Sequence, residues 1–281
     1  MEVGHLLGFQ KEKTDLSVRN VRIRYQESVN VPAGRTFRLA YPKIDDELLD
    51  LRTASLMRFN LNMINSTVVD AELAGQDAYG IVDSRDVRSL FRRLIVRSGS
   101  QVLCDIDDVG SYLLLESQIN TSAHTSSYDR YLMGNESDVI RKNYPVQREY
   151  IVKFSPIDTL LNCNGCLPLA RMNNLSIELQ LDTASNCLRG TSNTLSYSLS
   201  DIELLTQYIR SPSLSSFYNS NPLSMHVTNL SMRYQTINEQ KALVRMSSSH
   251  SSLDSIVTIL REQVRLNGTI ANSYFFRKIR F

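Results

Sequence analysis

Apolar residues recur at every second position through most of this chain, and that period confines it to strands that bury one face and wet the other. In Val21-Arg22-Ile23-Arg24-Tyr25 the apolar side chains take one side and the arginines the other. Phe37, Leu39 and Tyr41 repeat the pattern against Arg38 and Ala40, and Met57, Phe59, Leu61 and Met63 repeat it against Arg58, Asn60 and Asn62. Tyr150, Val152 and Phe154 form a further set, as do Leu175, Ile177, Leu179 and Leu181. Leu195, Tyr197 and Leu199 keep the period, and then Ile202 and Leu204 shift by one residue, which is what a β-bulge requires. Leu230, Met232 and Tyr234, then residues 256–260 and 274–281, add the last candidates. Half-buried alternation of this kind belongs to antiparallel sheets. The chain is expected to be all-β.

Helix signals are few and fall between strands. Asp83-Ser84-Arg85-Asp86 can cap a short helix that carries Val87, Leu90, Phe91 and Leu94 on one face. Ser98-Gly99-Ser100 between two apolar runs reads as a tight hairpin. Asp107-Asp108 can cap a second helix, with Val109, Tyr112, Leu113 and Ile119 at helical spacing. The Ser/Thr/Asn/Gly stretch 120–137 and residues 211–222 read as surface loops, the latter as a linker or crossover between domains. No period of repeat-protein length appears.

Composition narrows the function classes. With 31 Lys+Arg against 29 Asp+Glu the net charge is only +2, which disfavours a strongly basic nucleic-acid binder. Ser (35) and Asn (20) are abundant, and Arg outnumbers Lys by 24 to 7. The N-terminal residues lack the basic start and apolar run of a signal peptide, and no apolar run approaches a membrane span. Synthesis in the cytoplasm with reduced cysteines is therefore expected. Six Asn-x-Ser/Thr sequons, at Asn65, Asn120, Asn135, Asn174, Asn229 and Asn267, carry little weight in a chain so rich in Ser and Thr.

Catalytic signatures are missing. There is no Gly-rich phosphate loop, zinc-protease helix or nucleophile elbow, and His5, His124, His226 and His250 stand singly. Cys163-Asn164-Gly165-Cys166 has C-x-x-C spacing, but Cys187 and Cys104 supply no second close pair for zinc. The thiols read most simply as free ones in a loop, with a metal or redox role left open. Against a calcium loop, Asp105, Asp107, Gly110 and Glu116 fall at the right spacing, but Val109 stands where a ligand is needed. Those acids read better as a helix cap. Arg85, Arg88, Arg92, Arg93 and Arg97 form the densest basic cluster, and on a helix Arg85, Arg88 and Arg92 would share a face. Pairing with carboxylates at protein interfaces is favoured over phosphate contact. No catalytic, cofactor-binding or metal-binding residue, and no cofactor, is expected. The chain is expected not to be an enzyme.

The order of these features resembles that of viral jelly-roll capsid proteins, in particular the double jelly-roll, adenovirus-like major capsid lineage. Residues 59–63, then the run from Ser89 to Ile106 with its Ser98-Gly99-Ser100 turn, look like that family's strand, helix and hairpin. Tyr112-Leu113-Leu114-Leu115 looks like the helical excursion that follows, residues 199–205 like a strand closing the first jelly roll, and residues 251–261 like a strand of a next one. The resemblance implies an antiparallel jelly-roll β-sandwich with short inserted helices and self-assembly into an icosahedral shell. It implies as partners the chain itself and other capsid subunits, in a trimer or higher oligomer, and a place in the virion. Residues 1–210 would form the first jelly roll and residues 211–281 a second, β-rich segment, either an elaboration or part of a second jelly roll. About 70 residues are too few for eight further strands. If they are part of a second jelly roll, a partner polypeptide would complete the C-terminal sheet; contact with the genome is only weakly supported. The alternative is a lectin-like sandwich with Ser/Asn-rich loops gripping sugars, disfavoured by the lack of Trp.

Overall fold

A computed structural model of the chain describes residues 16–53, 55–65, 80–82, 87–110, 112–113, 146–153, 165–190, 195–221, 255–260 and 275–280. The strands in chain order are β1 (Ser17–Arg24), β2 (Asn30–Pro32), β3 (Thr36–Ala40), β4 (Glu47–Asp50), β5 (Leu56–Asn65), β6 (Gly80–Val82), β7 (Phe91–Ser98) and β8 (Gln101–Asp107). They continue with β9 (Val146–Lys153), β10 (Cys166–Leu167), β11 (Leu175–Leu181), β12 (Leu188–Gly190), β13 (Leu195–Arg210), β14 (Ser255–Leu260) and β15 (Phe275–Arg280).

Pairing assigns most of these to two antiparallel sheets. In the first, β13 is the central strand. One of its edges carries β2 and then β1, and the other carries β5 and then β4; β9 lies outside β5, and β10 outside β4. The second sheet runs β3-β11-β7-β8. The pairs are nested: β7 with β8 innermost in sequence, then β5 with β9, β3 with β11, and β1/β2 with β13 outermost. Nested antiparallel pairs divided alternately between two sheets are the winding of a jelly roll. The pairs β6–β12 and β14–β15 form two small separate sheets.

The expected alternation places the core. Met57, Phe59, Leu61 and Met63 from β5, Leu94 and Val96 from β7, Ile177 and Leu179 from β11, and Tyr197 and Leu199 from β13 are all buried in one cluster. Phe59 meets Phe91 edge to face at 5.9 Å. The expected bulge is present. Ser200 stands opposite Asn60 and Glu203 opposite Arg58, so β13 carries one residue more than β5 there. Asp201 takes it up in the left-handed region, with φ 51°. The extra residue reverses the phase, so that Ile202, Leu204 and Tyr208 point into the core after it as Tyr197 and Leu199 do before it.

Two local expectations are corrected. The helix drawn through Val87, Leu90, Phe91 and Leu94 is a single 3-10 turn, Val87–Leu90, and the chain is already in β7 from Phe91. Phe91, Leu94 and Val96 are buried in either geometry, but β11 and β8 lie on both sides of β7 and supply backbone partners that a helix would forgo. Residues 212–220 are not a loop but a helix, Pro212–Ser220, capped by the Ser211 hydroxyl accepting from the Leu214 N–H at 3.4 Å. Pro at the first helical position and Ser before it are a helix start that the Ser-rich composition obscured. Val109 and Leu113 are buried in a helical segment as expected, while Ile119, residues 120–137 and the set Leu230, Met232 and Tyr234 lie outside the described residues.

Polar ties link the two sheets. The Tyr197 hydroxyl on β13 donates to the Asp182 carbonyl at the end of β11, 2.6 Å away, and the Asp182 N–H donates to the Leu90 carbonyl at 2.8 Å. The Tyr208 hydroxyl donates to the Pro42 carbonyl at 3.0 Å. Burial pushes Tyr41 from its ordinary 10.0 up to about 12, with the Ser55 hydrogen bond acting the other way, and burial raises Tyr197 and Tyr208 too. Gly110 fits against the 3-10 turn so closely that a Cβ would lie 2.6 Å from the Arg88 carbonyl and 2.8 Å from that of Phe91.

Two outcomes follow from these contacts. Gly110→Ala forces backbone apart and is expected to cost about 1–3 kcal/mol in urea denaturation; an unchanged midpoint would mean that the turn yields freely. Because the buried tyrosines ionise at higher pH folded than unfolded, the stability they contribute is complete below pH 10 and is lost as pH rises through about 12. Circular dichroism and tyrosinate absorbance, followed through an alkaline titration, should therefore change together for the buried rings.

Candidate functional site: the charged outer faces

Alternation that fills the core also lines the outside of each sheet with polar side chains, and the strand register decides which of them meet. On the β3-β11-β7-β8 sheet, Glu178 on β11 lies between Arg97 on β7, which donates to it at 3.1 Å, and Arg38 on β3, 3.9 Å away. Arg93 grips Asp105 through both guanidinium arms at 2.7 and 2.6 Å, and Arg92 reaches Asp107 at 3.1 Å. On the other sheet Arg24 donates to Glu203 at 2.7 Å, and Arg58 donates to Glu149 at 2.6 Å while standing 3.7 Å from Glu203. Asn60 donates to Asp201 at 2.8 Å and Asn62 to Ser200 at 3.1 Å, which extends this polar row along β13. Hydrogen bonding to Glu149 raises the pKa of Arg58 further, and Asp50 does the same for Arg52.

The arginine cluster is thus placed differently from the expectation. Arg92, Arg93 and Arg97 project from a strand, and their carboxylate partners lie on neighbouring strands of the same chain, not across an interface. Cross-strand Arg–carboxylate pairs stabilise register, since a slip by one residue would send every charge inward. Arg88 is buried, and Arg85 lies outside the described residues. Sequence reading found the arginines but not Glu149, Glu178 and Glu203. Their outward phase was visible; their partners depend on register.

The remaining candidates do not come together. Asp105 and Asp107 sit on β8 paired with arginines, and Asp107 also accepts the Asp108 N–H at 3.1 Å. Glu116 lies outside the described residues, as do His5, His124, His226, His250 and Cys163. Among the described residues no cluster of His, Cys, Asp and Glu could hold a metal ion. Cys104, Cys166 and Cys187 carry reduced thiols, and that of Cys187 donates to the Thr183 carbonyl at 3.2 Å. Burial, with Asp105 beside it, pushes the Cys104 thiol up to about 11, and burial also raises Cys166, so neither is poised as a nucleophile. No helix among the described residues is long and apolar enough to cross a membrane.

No family model matches the sequence, and no curated protein matches it either. Solved structures do. The PBCV-1 virus capsid aligns with a TM-score of 0.55 at 12% identity, over 89% of this chain and 54% of that one. PBCV-1 VP54, fitted into a reconstruction of the virophage Sputnik, aligns with a TM-score of 0.54 at 12% identity, over 90% of this chain and 54% of that one. The shared property is the jelly-roll fold. This chain spans about half the length of the solved chains it matches.

The two faces give a ranked test. Glu203 is nearly enclosed, its side chain 11% exposed, and one of its oxygens has no hydrogen-bond partner among the described residues. Glu203→Gln removes the charge between Arg24 and Arg58 and is expected to cost about 1–3 kcal/mol. Asp105→Asn, in an exposed pair, is expected to cost less than about 1 kcal/mol. Chemical denaturation of both variants measures the difference, and a reversed order would mean that the Glu203 row contributes nothing to holding β13 in register.

Proposed function

We propose that this chain is a structural subunit of a virus capsid, which assembles with copies of itself and with other capsid subunits into an icosahedral shell. One observation carries the reading: a jelly roll wound as nested hairpins, aligned over 89% of the chain with a virus capsid chain. Its outer faces pair many of their arginines with carboxylates of the same chain, which suits subunits that stand side by side without repelling one another. That matching also leaves little free positive charge for phosphate, which weighs against genome binding through the arginines of β7. No observation favours the sugar-binding alternative.

In this reading residues 1–210 form one complete jelly roll, and residues 211–281 begin a second β-rich unit, represented in part by the β14–β15 hairpin. The assembled form is a trimer or a higher oligomer. The protein acts in the virion, after synthesis in the cytoplasm of the host, and it has no enzymatic role.

Size-exclusion chromatography with electron microscopy, run across a range of ionic strengths, tests this directly. Trimers, sheets or closed shells are expected. A protein that stays monomeric under every ionic condition, alone and with co-expressed capsid partners, would overturn the proposal.

A further inference from the structure

The helix Pro212–Ser220 follows β13 directly, so it is the first element after the sandwich closes. Its two ends are finished by different means. Ser211 caps the start in the usual way. At the other end no glycine turns the chain: the C-cap residue Asn221 is extended, with φ −109° and ψ 148°, and Pro222 follows it in sequence. An extended exit forgoes the backbone bonds that a left-handed cap would make, so the last carbonyls need donors from elsewhere.

The Phe217 carbonyl still accepts the Asn221 N–H at 3.1 Å and takes the Asn221 side-chain amide at 2.9 Å as well, while Ser220 Oγ donates back to the Ser216 carbonyl at 2.8 Å, so the carbonyls left to satisfy begin at Tyr218. The Tyr218 and Asn221 carbonyls are both met by one atom from far away in sequence. Arg171 Nη1 donates to Tyr218 at 2.6 Å and to Asn221 at 2.7 Å. Arg171 ends the 3-10 turn Leu169–Arg171, which packs against β4 between β10 and β11, and the helix packs against β4 as well. A guanidinium is always charged and rigidly planar, and it stands here at the negative end of the helix dipole.

We infer that Arg171 is the clamp that fixes the direction in which the chain leaves the sandwich. It holds the last turn and the first residue beyond it, tying both to the sandwich through the 3-10 turn. The direction of the backbone at residue 221 then depends on one exposed side chain as well as on the packing of the helix against β4. This inference stands apart from the capsid reading and holds whether or not the following residues build a second sandwich.

Hydrogen–deuterium exchange on the full chain tests it, comparing wild type with Arg171→Ala, Arg171→Lys and, as a surface control, Arg22→Ala. The expected result for Arg171→Ala is about tenfold faster exchange confined to residues 217–221, with β11 and β13 protected as in wild type. Arg171→Lys keeps a positive donor near the helix end and should give a smaller acceleration in the same peptide; it also serves if the alanine variant fails to fold. Arg22→Ala should leave that peptide unchanged. Unaltered exchange at 217–221 in both Arg171 variants overturns the inference. So does acceleration spread equally over the sandwich strands, which would make Arg171 a general stabiliser and not a clamp.

Discussion

Backbone pairing along a single strand, β13, is the constraint on which the rest of the architecture depends. Its 16 residues hydrogen-bond to β1, β2, β4 and β5, so four separate stretches of chain take their register from it. Long-range pairing of this kind is costly in loop entropy until many contacts form together. The bulge at Asp201 lets one strand serve both halves. Without the extra residue, either Tyr197 and Leu199 or Leu204 and Tyr208 would face solvent. The same strand carries Tyr197 and Tyr208, whose hydroxyls reach carbonyls at the ends of β11 and β3.

Around that spine, the two sides of each sheet have different tasks. Inward positions are apolar and tightly packed, and they provide most of the folding free energy. Outward positions pair arginines with carboxylates across strands, a weak contribution to stability and a stronger one to register. The excess of Arg over Lys finds its physical reason here, because a planar fork can grip a carboxylate with two arms, as Arg93 does with Asp105. A face whose charges are matched internally also presents little net field to a neighbour.

Most of the sandwich was legible in the sequence because period-two alternation writes a strand's buried face directly. The phase change between Leu199 and Ile202 even marked the bulge. The errors arose where two periods overlap. Val87, Leu90, Phe91 and Leu94 satisfy a helical stripe, but Phe91 and Leu94 are separated by a second irregularity in register, near Arg92, which distorts strand alternation enough to imitate a helix. Residues 211–222 looked like a linker on composition, although Ser-Pro at the start is a helix signal. Partners such as Glu178 for Arg97, or Arg171 for the Tyr218 carbonyl, could not be read, since they depend on register and docking between stretches 47 to 81 residues apart.

The nested winding has one more consequence. Ser17 lies directly across from Arg210, so the first and last strand residues described in the sandwich are neighbours across one strand pair. Entry and exit at one point make the sandwich a bead that can be threaded into a longer chain without stretching across its body. Another bead joined at that corner would lie beside it, and duplication of such a unit within one polypeptide would need only a short connector.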